Sequence, residues 1–167
     1  MGKPHEICVR DTFAGLSEEQ LAFLVNDTLT EDNLMVRKHG GDLYDGVANG
    51  LEQLSRQYRL FIVSNCQAGY IETFVELNGL EGLFVDFECW GNTGNSKAEN
   101  LAKLIERNSL TRPVMVGDME SDRAGATHCG IPFIHAAYGF GEIIDCDLRI
   151  DSFNELTEIL QKGYSAP

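Results

Sequence analysis

The sequence predicts an α/β fold, a doubly wound parallel sheet with helices on both faces, preceded by a helical segment. Three observations carry this prediction. From residue 43 onward short apolar runs alternate with helical patterns, and that alternation requires crossover connections between parallel strands. The apolar runs end in polar residues, as expected where strands of such a sheet open onto a ligand crevice at their carboxyl ends. Residues 1–42 contain no convincing strand, so the two parts of the chain differ in texture.

Taken in order, a short helix is expected within residues 4–13. Ser17 followed by Glu18, Glu19 and Gln20 reads as an N-cap with an acidic first turn, and Leu21, Leu24, Val25 and Leu29 follow at helical spacing. Gly40-Gly41 marks a hinge. Helical patterns then cover 46–57, 68–79, a segment from Ser96 to about 108, 122–129 closed by Gly130, and 152–162 starting at Ser152. Strands are expected at 59–65 (RLFIVSN), 83–89 (LFVDFEC), 113–118 (PVMVGD), in PFIHAAY and in DLRI.

The chain has 167 residues, enough for one domain with a small appendage, and carries a formal charge of −13. Such a surface repels nucleic acid and anionic lipid, so neither is an expected partner. A small anionic substrate remains compatible, because one metal ion and one lysine can reverse the local field. No apolar run reaches the length of a membrane span, and MGKPHEICVRD lacks the apolar stretch of a signal peptide. Cys8, Cys66, Cys89, Cys129 and Cys146 are scattered, odd in number and without a CxxC pair, which fits reduced thiols and a cytoplasmic location; each is expected as a small buried residue. His5, His39, His128 and His135 show no metal-ligand spacing and are expected as structural or surface residues. Trp90 is expected to be buried or to line the crevice.

Three places concentrate chemistry. Ser64-Asn65 follows Phe61-Ile62-Val63, and a hydroxyl with free backbone N–H groups in the next turn suits a phosphate. Gly117-Asp118 follows Val114-Met115-Val116, with Asp122 in the first turn of the next helix; two carboxylates held there suit magnesium, which keeps several waters and takes few protein ligands. Lys97 opens a helix, where a cation opposes the dipole, so a point charge on a phosphate is one reason for it and plain solvent exposure the other. Taken singly, Asp122 reads equally as a capping residue, Asp118 as a loop acid and Ser64 as a turn residue.

Together, strand-Ser64-Asn65, then Lys97, then strand-Gly117-Asp118-x-x-x-Asp122 resembles the second, third and fourth motifs of the haloacid dehalogenase superfamily. Ala137-Tyr138-Gly139-Phe140-Gly141 is similar to the loop after the fifth core strand of its phosphoglycolate phosphatase-like members. The resemblance covers about residues 43–162 and makes 43–167 the core; residues 1–42 resemble part of a small helical cap. It implies a magnesium-dependent phosphatase of small phosphomonoesters acting through an aspartyl-phosphate. It assigns Ser64, Asn65 and Lys97 to the phosphoryl group, with Ser64 and Lys97 catalytic, and Asp118 and Asp122 to the metal.

The attacking aspartate and its acid–base partner belong, in that family, to an Asp-x-Asp motif on a central strand near the N-terminus. The nearest stretch here, Ile7 to Phe13, has Asp11 but Phe13 in place of the second acid, and reads as cap helix. The central strand is therefore expected to be missing, leaving the inner edges of the strands that end at Ser64 and Asp118 unpaired. The absent segment or a second copy of the chain is then an expected partner beside the small phosphorylated substrate. The alternative is a non-catalytic phosphate- or metal-binding protein of the same fold. A dinucleotide-binding domain is disfavoured because no GxGxxG follows a strand, and a receiver domain because its acids, hydroxyl and lysine come in another order.

Overall fold

The computed structural model describes residues 2–164. It begins with a helical hairpin, α1 (His5–Thr12) and α2 (Glu18–His39). Ser17 caps α2 in a full capping box with Gln20, and Gly40 ends it at φ 64°. The helix runs well beyond the Leu21–Leu29 periodicity, because Arg37, Lys38 and His39 in its last turn complement the dipole. Only Val9 and Leu21 of this hairpin are buried, while Phe13, Phe23, Leu34 and Met35 are exposed.

The remaining elements are α3 (Val47–Ser55), β1 (Leu60–Ser64), α4 (Tyr70–Leu77), β2 (Phe84–Cys89), α5 (Trp90–Thr93), α6 (Lys97–Arg107), β3 (Met115–Gly117), α7 (Glu120–Cys129), β4 (Phe133–Ala136), β5 (Leu148–Ile150) and α8 (Phe153–Gln161). Every expected strand and helix of the core is present. The sequence reading lacked α5, a single turn too short to show a period. All strand pairs are parallel, but they fall into two sheets, β1–β2 and β3–β4–β5. Ser64 sits beside Cys89 in the first, and Gly117 beside His135 in the second.

Alternation along the strands of the second sheet builds two cores. Met115 and Phe133 face Leu101 of α6 and Ala126 of α7, whereas Val116, Ile134 and Ile150 face Phe153 and Leu156 of α8. Helices therefore cover both faces, as a doubly wound arrangement requires. Val63 of β1 packs against the first core, so β1 reaches the second sheet through a side chain without backbone pairing. The consequence shows in burial: all five residues of LFIVS are half-buried, whereas the four of FIHA in β4 are fully buried. A parallel strand of such apolar composition normally has neighbours on both edges. Among the described residues β1 pairs only with β2 and β3 only with β4, so each keeps one edge without a strand partner, as the sequence led us to expect.

One clamp fixes the outer edge of the first sheet. Arg107, ending α6, donates two hydrogen bonds to Asp86, one to Glu88 and one to the carbonyl of Phe87. Burial pushes both carboxyls up, but these bonds, with Asn108 on Asp86 and Asn92 on Glu88, win and hold both below the usual carboxylate range.

Candidate active site

The carboxyl end of β3 and the start of α7 are joined by a side chain that folds back. Asp122 accepts the backbone N–H of Met119 at 2.9 Å and of Asp118 at 3.1 Å through Oδ2, and the Lys97 ammonium through Oδ1. Its residue is 3% exposed. A Cβ on residue 117 would overlap this carboxylate, which is the physical reason a glycine precedes Asp118.

Lys97 is the first residue of α6, whose N-terminus is closed by a Ser96–Glu99 capping box. A cation there opposes the helix dipole. The carboxylate of Asp122 compensates it, and the pair is sealed between α6 and α7 with side-chain exposures of 11% and 5%. The surface reading of Lys97 does not hold.

Asp118 is half-buried and differently engaged. Its Oδ2 accepts the backbone N–H of Phe140 at 2.8 Å, and its Oδ1 has no hydrogen-bond partner among the described residues. Gly139 and Gly141 pack against it so closely that a Cβ on either would overlap the side chain or carbonyl of Asp118. Lys97, Asp122 and Asp118 thus form one connected unit.

Ser64 and Asn65 stand on the other side, at the end of β1. Ser64 Oγ accepts the N–H of Cys66 at 3.1 Å and bonds directly to none of the other three among the described residues. The Asn65 side chain donates to the carbonyl of Gly2 at 2.6 Å, while Gly2 packs against Met119. The first described residue therefore bridges the ends of β1 and β3 across the crevice. Asn65, assigned by the resemblance to the phosphoryl group, uses its side chain here to hold Gly2.

Other candidates fall away. Asp11 lies in α1, exposed and paired with Lys3 at 2.6 Å. Asp145-Cys146-Asp147 spells an Asp-x-Asp, but Asp147 accepts the N–H of Phe133 at the amino end of β4, the end opposite the crevice, and Asp145 is exposed and paired with Arg123. Burial pushes the Cys66 thiol up to about 11 and that of Cys89 upward, so neither is an activated thiolate beside Ser64. Of the five cysteines only Cys89 is fully buried, and Trp90 is half-buried. A cleft of about 260 Å³ lined by Arg37, Lys38, His39 and Asn78 lies at the α2–α4 junction. Its cations complement the carbonyl end of α2, and none of the residues singled out at the strand ends lines it.

For a metal, the donor set is partial. Among the described residues no three His, Cys, Asp or Glu side chains converge. Both oxygens of Asp122 are taken, which leaves Asp118 with one free oxygen. That fits a largely hydrated magnesium ion, which needs one or two carboxylates and retains its waters.

Comparison with known proteins follows this geometry. The family model described as haloacid dehalogenase-like hydrolase matches residues 2–136. A haloacid dehalogenase-superfamily hydrolase from Geobacter sulfurreducens is 21% identical with a TM-score of 0.62, covering 70% of this chain and 60% of its own. A predicted phosphoglycolate phosphatase from Haemophilus somnus is 21% identical with a TM-score of 0.72, covering 87% of this chain and 69% of its own. A haloacid dehalogenase-type hydrolase from Bacillus subtilis, described as bound to magnesium, is 18% identical with a TM-score of 0.70, covering 94% of this chain and 79% of its own. At these identities the likeness concerns the fold, and this chain spans only part of the length of each. No curated protein matches the sequence.

Proposed function

The chain belongs to the haloacid dehalogenase-like hydrolases, and we propose that it provides the phosphate and metal sites of a magnesium-dependent phosphatase of small phosphomonoesters. The reaction passes through an aspartyl-phosphate whose aspartate lies on a segment additional to these 167 residues. One observation carries this reading: among the described residues β1 pairs only with β2 and β3 only with β4, so each keeps a free edge, with Ser64 and Asn65 at the end of one and Asp118 just beyond the other. A strand inserted there would end among Ser64, Lys97 and Asp118, where a carboxylate attacking phosphorus needs charge neutralisation. Residues 1–42 act as part of a helical cap over this core, and the segment supplying the strand, or a second copy of the chain, is a partner alongside the small phosphorylated substrate.

In this scheme the Ser64 hydroxyl and the backbone after it bind phosphoryl oxygens, and Asn65 steadies the crevice by fastening Gly2. Lys97 spreads its charge over the phosphoryl group and the incoming carboxylate, held in place by Asp122. Asp118 offers its free oxygen to magnesium, and Asp122 supports that site by holding the Asp118 backbone. When bound, magnesium neutralises charge on the phosphoryl oxygens. Free thiols and the acidic surface support a cytoplasmic protein that contacts neither nucleic acid nor membrane; among the described residues no helix is long and apolar enough to cross one.

A second reading is a non-catalytic phosphate- or metal-binding protein. It is favoured by Asp11, which lies exposed on helix α1 rather than on a strand and is paired with Lys3. The test is hydrolysis of p-nitrophenyl phosphate and phosphoglycolate, with magnesium, by the 167-residue chain and by a version extended upstream in its reading frame. We expect turnover only in the extended version. Turnover by the shorter chain near 1 per second or above would overturn the requirement for an added aspartate. Activity in neither, with phosphate binding retained, would establish the second reading.

A further inference from the structure

We infer that His135 is a positioning residue for Asp118, and that it acts through the Gly139–Gly141 turn. The inference rests on the reading of Asp118 as a metal carboxylate and adds a residue to that machinery which motif spacing does not touch. His135 is the one polar side chain of β4, 1% exposed, in a strand whose other residues are Phe133, Ile134 and Ala136. Burying an imidazole there is unfavourable unless its hydrogen bonds are used, and an apolar residue would fill the space without that penalty.

The ring is stacked on Phe133, and its register partner across the sheet is Gly117, the residue before Asp118. Its Nε2 lies 3.0 Å from the carbonyl oxygen of Gly141. A carbonyl only accepts, so the proton sits on Nε2 and the ring donates. Nδ1 is buried without a partner among the described residues, which leaves the Nε2–H as the ring's only directional bond.

That bond has a consequence three residues wide. Anchoring the Gly141 carbonyl fixes the end of the turn that begins at Gly139, whose own N–H is held by the Ala136 carbonyl at 3.0 Å. Between these two anchors the Phe140 N–H is aimed at Asp118 Oδ2, at 2.8 Å. Phe140 is 67% exposed and its side chain cannot orient the turn. One carboxylate oxygen is thereby engaged and the other left free, so the direction in which Asp118 presents its free oxygen depends on the turn. Outer residues that orient a metal-binding carboxylate typically change affinity about 10- to 100-fold when lost.

Two substitutions separate positioning from bulk structure. In His135→Gln the terminal amide N–H₂ lies the same number of bonds from Cβ as the imidazole Nε2, so the donor still reaches Gly141; in His135→Asn it falls one bond short. Magnesium chloride is titrated into the 167-residue chain and followed at the backbone amide resonances of Asp118 and Phe140. We expect wild type and His135→Gln to saturate at similar concentrations, and His135→Asn to need about tenfold more, with faster hydrogen exchange at the Phe140 amide. Wild-type affinity and protection in His135→Asn, or equal weakening in both variants, would overturn the inference. A wild-type imidazole spectrum showing the proton on Nδ1 would overturn it independently of how the variants fold. Magnesium binding left unchanged by Asp118→Asn would instead sink the metal reading, and the Phe140 exchange measurement would still decide the role of His135.

Discussion

Consider the Lys97–Asp122 pair removed one partner at a time. With side-chain exposures of 11% and 5% it is desolvated enough that losing one partner strands the other. Asp122→Ala leaves the ammonium buried and also removes the acceptor for the N–H groups of Asp118 and Met119, so a loss of about 3–5 kcal/mol is expected. Lys97→Met keeps an apolar stem of similar length and leaves Asp122 with both backbone donors, so its loss should be smaller, about 1–3 kcal/mol. The double variant removes both charges and should cost at least about 1.5 kcal/mol less than the sum of the single losses, within the range found for residues in one network. Urea unfolding followed through the single tryptophan, Trp90, measures all four proteins, with shifts in midpoint at constant slope reporting stability. Losses that add to within about 0.5 kcal/mol would refute the argument, because independent sites behave that way.

Two further outcomes follow from the packing. Arg107→Met should cost about 1–3 kcal/mol at neutral pH by releasing Asp86 and Glu88. Because Arg107 holds both carboxyls below their usual range, the stability it confers is full above the ordinary carboxylate pKa of about 4 and is lost as pH falls through the folded values. The gap between wild type and variant should therefore narrow between pH 7 and pH 3, and a gap that stays constant would count against this sign. Leu104→Ala, at a site 1% exposed, should lower the urea midpoint by the equivalent of about 2–5 kcal/mol, and a loss below about 1 kcal/mol would mean that the neighbouring side chains collapse into the space.

Much of this architecture is legible in the sequence because the interactions that create it are local. Ser17 with Gln20 and Ser96 with Glu99 are three residues apart, so their capping boxes can be read directly, as can the N-cap Ser152. Apolar alternation exposes the strands, and polar residues stand out at their ends, Ser64 and Asp118, and in the first turns of the helices that follow, Lys97 and Asp122. The cysteines were read less well: small size permits burial but does not impose it, and only Cys89 is fully enclosed.

The sequence by itself determined the helices, the parallel strands, the family and the chemical types at the crevice. Only the tertiary structure decided what each type does. The sequence assigns Asp122 and Asp118 alike to the metal, yet among the described residues one has both oxygens occupied and the other keeps one free; the difference lies in Lys97, 25 residues from Asp122, and in Phe140, 22 residues from Asp118. His135 reads as one more structural histidine until its Nε2 is found on the Gly141 carbonyl. Local propensity and periodicity act over a few residues, whereas charge compensation, turn anchoring and edge pairing depend on groups that meet only when the chain has closed on itself.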